Sequence, residues 1–222
     1  MKNISYFVFL CYTLIGSDFM ESIIRKPKQQ RAIEKWDKIV DAGFELICDN
    51  GYHNTNTAEI AKKAGVSTGI VYQYFKDKYD IFMAGLEKYG DKIFFPMLKF
   101  DSKHFDKNDF KGSIRVMIEK YVKGHKLSKT THEEITSMIH SNHEVAAFFY
   151  EKEIEITDSI KNFFIDCGLS DNNLEEKVHV MIGMIDNLCH ELIYHKHEDM
   201  NYDIMTDIVI DNIYELFKND LN

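Results

Sequence analysis

Apolar residues recur at helical spacing along most of this chain and almost nowhere alternate as they would in strands. Ile33, Trp36, Val40, Phe44 and Ile47 share one face of a helix running to about Asp49. Asn50 and Gly51 end it, and Tyr52 anchors the link that follows. Residues 55–78, TNTAEIAKKAGVSTGIVYQYFKDK, hold two short helices and the start of a third. Asn56 caps the first, and Glu59 three residues on completes a capping box. Ile60, Ala61 and Ala64 form its buried side. Gly65 accepts the left-handed backbone that ends a helix, and Val66 plugs the gap. Ser67 caps the second helix, which docks through Ile70, Val71 and Phe75. Two helices joined by so short a glycine turn match the helix-turn-helix, whose second helix fits the major groove of duplex DNA.

The pattern then predicts a helix from Asp77 to about Phe100, a rod carrying Ile81, Phe82, Leu86, Ile93, Phe94 and Phe95, with a kink or break at Pro96. Residues 101–109 read as a loop, and the rod as a plausible hinge. Further amphipathic helices follow at about 110–128, 131–141, 143–167, 172–196 and 202–219, with loops at 129–131, 167–171 and 197–201. They are rich in aromatics and methionine (Phe110, Met117, Tyr121, Met138, Phe148, Phe149, Phe163, Phe164, Met181, Met184). Core packing accounts for such residues one by one. A greasy ligand pocket between helices is the other reading. With only two prolines and few β-branched alternating runs, the fold is expected to be all-α.

Gly51, Tyr52, Thr55, Ile60, Ala61, Ala64, Gly65, Val66, Ser67, Gly69, Tyr72, Tyr74, Phe75 and Lys78 stand in fixed register with these helices. In them the chain resembles the DNA-binding domain of the tetracycline-repressor (TetR) family from about Arg31 to about Leu86, roughly a quarter of its length. Asn56 replaces the usual Thr or Ser and preserves the cap. Tyr79 replaces a common acidic residue, which weakens the first turn of the next helix slightly. The resemblance implies a three-helix N-terminal DNA-binding domain with a C-terminal helical domain for ligand binding and dimerisation. It places Asn56, Thr57, Thr68, Gly69, Tyr72, Gln73, Tyr74 and Lys78 at the family's usual DNA-contact positions, with Ser67 beside them. Ser67, Thr68 and Gly69 open the second helix, where free N–H groups favour phosphate. Thr68 and Gln73 suit base edges, Gln73 pairing with adenine. Tyr72 and Tyr74 offer hydroxyls toward phosphates, and Lys78 is expected to meet one. For Gly69 a helix-packing role competes with close approach to DNA.

Charge divides along the chain. The net charge of −9 resolves into +1 over residues 20–80 and −10 from 81 to 222. Phosphate contacts act within a Debye length of ~8 Å, so a local basic face suffices, and the acidic remainder discourages non-specific DNA binding. Arg25, Lys26, Lys28 and Arg31 form either an arm along the duplex or a solvated N-terminus. Cys11, Cys48, Cys167 and Cys189 are scattered without a CxxC pair, as in a cytosolic protein with reduced thiols. Eight of ten histidines lie at 125 and beyond, but His132-Glu133-Glu134 with His140 lacks the HExxH spacing. Histidines on the surface at helix ends are the preferred reading over a metal sensor. No phosphate loop, nucleophile elbow or cysteine–histidine pair supports an enzyme, and no cofactor is expected.

Residues 1–19 stand apart. Lys2 followed by an apolar run from Ile4 to Gly16 has the shape of a signal-peptide core. An anchor, an appended helix and a start assigned ahead of Met20 all fit, and the last is preferred. The expected organisation is 1–19 as that segment, 20–80 as the helix-turn-helix domain and 81–222 as the ligand and dimerisation domain. The expected function is cytoplasmic transcriptional regulation. A homodimer would bind a pseudo-palindromic double-stranded operator and leave it on binding an unidentified, largely apolar small molecule. The last two helices would form the dimer bundle through Val180, Met184, Leu188, Ile204, Ile208 and Ile213. A membrane-associated signalling protein anchored by residues 1–19, an activator, or a nucleoid or division scaffold are the alternatives.

Overall fold

The computed structural model describes residues 27–93, 105–124, 127–170 and 172–221. The apolar N-terminal segment, Arg25, Lys26, Pro96 and the 101–104 stretch lie outside them. Among the described residues the chain is helical, without strands: α1 Gln30–Asn50, α2 Thr57–Ala64, α3 Thr68–Tyr74, α4 Lys78–Ile93, α5 Phe110–Gly124, α6 Lys129–Ser141, α7 His143–Asp166, α8 Leu174–Tyr194 and α9 Tyr202–Phe217. A 3-10 turn at Lys107–Asp109 leads into α5, capped by Asp106, where the sequence had suggested only loop.

Capping chemistry sets most boundaries. Asn56 accepts from the Ala58 and Glu59 N–H groups while Glu59 reaches back, so the capping box at α2 is complete. Ser128 accepts from Thr131 N and starts α6 two residues before the hydrophobic pattern does. Asn142 serves twice, closing α6 by its backbone N–H to Met138 and capping α7 through its side chain. Such a cap contributes about 1 kcal/mol, enough to override propensity at a helix end.

Three apolar cores follow. The first joins α1, α2, α3 and α4 through Trp36, Ile39, Ile60, Val71, Phe75 and Ile81. The Trp36 ring lies tilted against Phe75, centroids 5.8 Å apart, a core role as its position on the α1 face suggested. The second joins α1 and α4 (Phe44, Ile47, Phe82, Leu86) to α6 and α7 (Ile135, Met138, Val145, Phe148). The third fills the bundle of α5, α7, α8 and α9, with Phe110, Phe164 and Phe217 in mutual ring contact. α4 therefore serves two cores at once. A boundary drawn at residue 80 cuts it after its first turn, whereas Ile81 and Ala84 belong with the first three helices.

Two of the six residues expected at a dimer contact are spent inside the chain. Leu188 and Ile213 are 1% and 0% exposed, packed in the third core. Val180, Ile204 and Ile208 do face outward, and Met184 is half-buried. The expected surface histidines also divide. His132 is half-buried, stacked on Tyr194 at 4.1 Å and 4.5 Å from the His190 ring, while His140, His143, His195 and His197 are exposed.

Candidate nucleic-acid interface

The α2–α3 pair is held from inside, which leaves its outer side for another molecule. Ile60, Ala61 and Val71 are buried, and Phe75 closes α3 beneath Trp36. Gly65 takes φ +69° and its N–H reaches the Ala61 and Lys62 carbonyls, turning the chain between the helices. Ser67 Oγ accepts from Ile70 N at 3.4 Å and starts α3.

Thr68, Gly69, Tyr72 and Gln73 all lie on the solvent side of α3, Tyr72 being 57% exposed. Gly69 separates its two readings. A Cβ there would meet nothing closer than the Ser67 hydroxyl at 3.9 Å, so no neighbouring helix requires a glycine. The bare backbone is free for an outside surface. Tyr74 differs from Tyr72. It is half-buried against the first core, so its ring is committed to packing. Thr57 is half-buried, and Asn56 is exposed with its side-chain oxygen occupied by the cap.

Lys78 does not present a free ammonium. Its Nζ donates to the carbonyls of Tyr52 at 2.6 Å and Thr55 at 2.9 Å, approaches that of His53 at 3.4 Å, and sits 4.4 Å over the Tyr52 ring. These bonds tie α4 to the 52–55 turn from behind the α2–α3 pair. The phosphate contact expected of Lys78 meets this competition, because an ammonium has three protons to give. Lys76, exposed just past α3 and the one cation between 67 and 77, was not singled out from the sequence, though its place directly behind the reading helix marked it. Lys62 and Lys63 on α2 are exposed, and Lys63 pairs with Glu45 at 2.8 Å.

A short helix with a bare-backbone glycine, an outward tyrosine and a glutamine, propped on a second helix by a glycine turn, is the geometry that reads a major groove. Residues 39–84 match the family model described as bacterial regulatory proteins, tetR family. This part of the chain belongs to the TetR family. Over 67 residues the chain is 46% identical to the fatty acid metabolism regulator protein of Bacillus subtilis (strain 168), covering 30% of this chain and 34% of that one. Over 58 residues it is 45% identical to the HTH-type transcriptional regulator AcrR of Shigella flexneri, covering 26% of each. The chain thus matches about a third of the length of these curated relatives or less. The whole fold is shared more widely. A putative TetR-family transcriptional regulator from Mesorhizobium loti superimposes with TM-score 0.60 at 18% identity, covering 85% of this chain and 98% of that one. A putative transcriptional regulator from Saccharomonospora viridis, solved in complex with choline, gives 0.60 at 17% identity, with 82% and 96% covered. At such identities these matches speak for the TetR fold alone.

Proposed function

We propose that this TetR-family chain is a transcriptional repressor that binds a pseudo-palindromic operator as a homodimer and leaves it when a small, largely apolar molecule enters the C-terminal bundle. The observation that carries the reading is the outer face of α3, where Thr68, Gly69, Tyr72 and Gln73 are exposed together on a helix whose inner face packs through Val71, Ile70 and Tyr74 on the first core. Tyr72 and Lys76 hold phosphates, Thr68 and Gln73 address base edges, and Gly69 lets the backbone come close. Ser67, Asn56 and Lys78 shape the head, their polar atoms being engaged in caps and in the 52–55 turn.

One head reads few base pairs, which argues for two. Val180 on α8 and Ile204 and Ile208 on α9 are exposed apolar side chains that a second copy would cover. An aromatic-rich bundle suits a ligand, and the neighbour of the same fold solved with choline accommodates a small molecule. Release then follows from differential affinity of ligand for a dimer whose heads no longer match adjacent grooves. Among the described residues no helix is long and apolar enough to cross a membrane. A cytoplasmic location follows from the operator.

The test is selection of bound fragments from genomic DNA by the purified chain at low salt. Enrichment of a two-fold symmetric sequence, protected at two half-sites about 10 base pairs or a multiple apart, supports the reading. Retention of no fragment at any ionic strength would overturn it.

A further inference from the structure

The reading head is clasped from behind at two separate points. The first is the turn after α1. Gly51 adopts φ +92°, and the Glu134 carboxylate of α6 occupies the space a side chain would need, with an oxygen 2.6 Å from the position of a Cβ. The His53 N–H donates to that same carboxylate at 3.3 Å. One turn earlier on α6, the fully buried Thr131 hydroxyl lies 2.8 Å from the Cys48 carbonyl and 3.4 Å from that of Ile47. These are carbonyls of the last turn of α1, where a helix runs short of internal donors; that of Ile47 also accepts from the Gly51 N–H at 2.9 Å. The second point is α4. The Tyr79 hydroxyl lies 2.9 Å from both Asn142 Oδ1 and Glu144 Oε2, at the cap of α7. Between the two points runs the apolar contact of Phe44, Ile47 and Phe82 with Ile135, Met138 and Phe148.

We propose that Thr131, Glu134 and Tyr79 are positioning residues that fix the angle at which α3 is presented, and hence the operator spacing the dimer accepts. The apolar contact is non-directional and tolerates sliding. Hydrogen bonds at two flanks, one through α1 and one through α4, restrict rotation about it. The head has a core of its own apart from these bonds, closed across α1–α4 through Trp36, Ile60, Val71, Phe75 and Ile81. They matter when two heads must reach two half-sites. The effective concentration of the second head at its site depends on how stiffly it is joined to the first. The inference rests on the DNA-binding reading above.

The experiment uses the full chain and an operator recovered by selection from random DNA, together with the same operator lengthened by one central base pair and a fragment with a single half-site. Tyr79→Phe combined with Thr131→Val removes two hydroxyls and keeps the ring and the branched side chain. The wild type is expected to bind the lengthened operator much more weakly than the original. The double variant is expected to lose about tenfold of that preference, within the range of coupling between contacting sites, while half-site affinity stays near wild type. Thr131→Ser, which keeps the hydroxyl, should discriminate as the wild type does. Spacing preference unchanged in the double variant, or lost only in step with half-site affinity, would overturn the positioning role and leave DNA recognition standing. Failure of the wild type to bind any selected DNA would instead remove the reading beneath it, and the proposal with it.

Discussion

The ammonium of Lys78 lies 2.6 Å from the carbonyl oxygen of Tyr52 and 4.4 Å over that residue's ring. One side chain thus closes the turn between α1 and α2 from the first residue of α4. Thr55, buried beside it, donates its hydroxyl to the Gly51 carbonyl at 2.9 Å, so the turn is braced by two residues rather than one.

Lys78→Ala should therefore act on stability first. Removing a charged donor from partly buried carbonyls costs about 2 kcal/mol, read as a lower urea midpoint at unchanged slope. The salt dependence of operator binding should keep the wild-type slope. A slope smaller by about one would return this lysine to a phosphate.

Gly69→Ala is expected to move stability and affinity in opposite directions. The new methyl meets nothing within 3.9 Å, and alanine is favoured over glycine in a helix by about 0.5–1 kcal/mol. The melting temperature should hold or rise while operator affinity falls by an order of magnitude or more, because the methyl stands where the duplex backbone would approach. A lower melting temperature would show that a packing neighbour had been missed.

These two residues mark the limits of sequence reading. Helix positions were legible because apolar spacing and caps such as Asn56 with Glu59 are local. The inner and outer sides of α9 were not. Ile204 and Ile208 are spaced as one apolar face, while Ile210, Ile213 and Phe217 make another, so periodicity alone could not say which turned inward. The structure buries the second set and exposes the first. The internal work of Lys78 was equally hidden, since its partners are backbone carbonyls 23 to 26 residues away that carry no signature in side-chain sequence. Ser128 was overlooked as a cap because the hydrophobic pattern of α6 begins only after it.

Tyr72 and Gln73 sit side by side on the exposed face of α3 and should separate affinity from specificity. Tyr72→Phe keeps the ring and removes the hydroxyl proposed to meet a phosphate, so binding should weaken alike on all sequences. Gln73→Ala should cost about 1–3 kcal/mol on the preferred operator and flatten preference at one base pair of each half-site. Neither should change the unfolding free energy by more than about 0.5 kcal/mol, as befits surface substitutions. Equal loss on every operator from Gln73→Ala would assign that side chain to the phosphates.

Cys48 gives the chain a weakness in alkali. Burial, reinforced by the neighbouring Asp49 charge, pushes its thiol up to about 12 from an ordinary value of 9.0. The folded chain therefore holds a proton that the unfolded chain releases, and stability must fall as pH rises through that interval. The stabilisation is whole below pH 9 and lost by about pH 12, with an upper limit of about 4 kcal/mol for three units. Burial raises the Cys189 thiol and the Tyr121 phenol as well, so they pull the same way. Urea titrations between pH 8 and 11 should show a falling midpoint, and Cys48→Ala should make the fall shallower. In the native chain at pH 8, Cys48 should resist iodoacetamide and react only on unfolding, because the thiolate is the nucleophile. Alkylation of native Cys48 at the rate of a free thiol would contradict the burial that raises it.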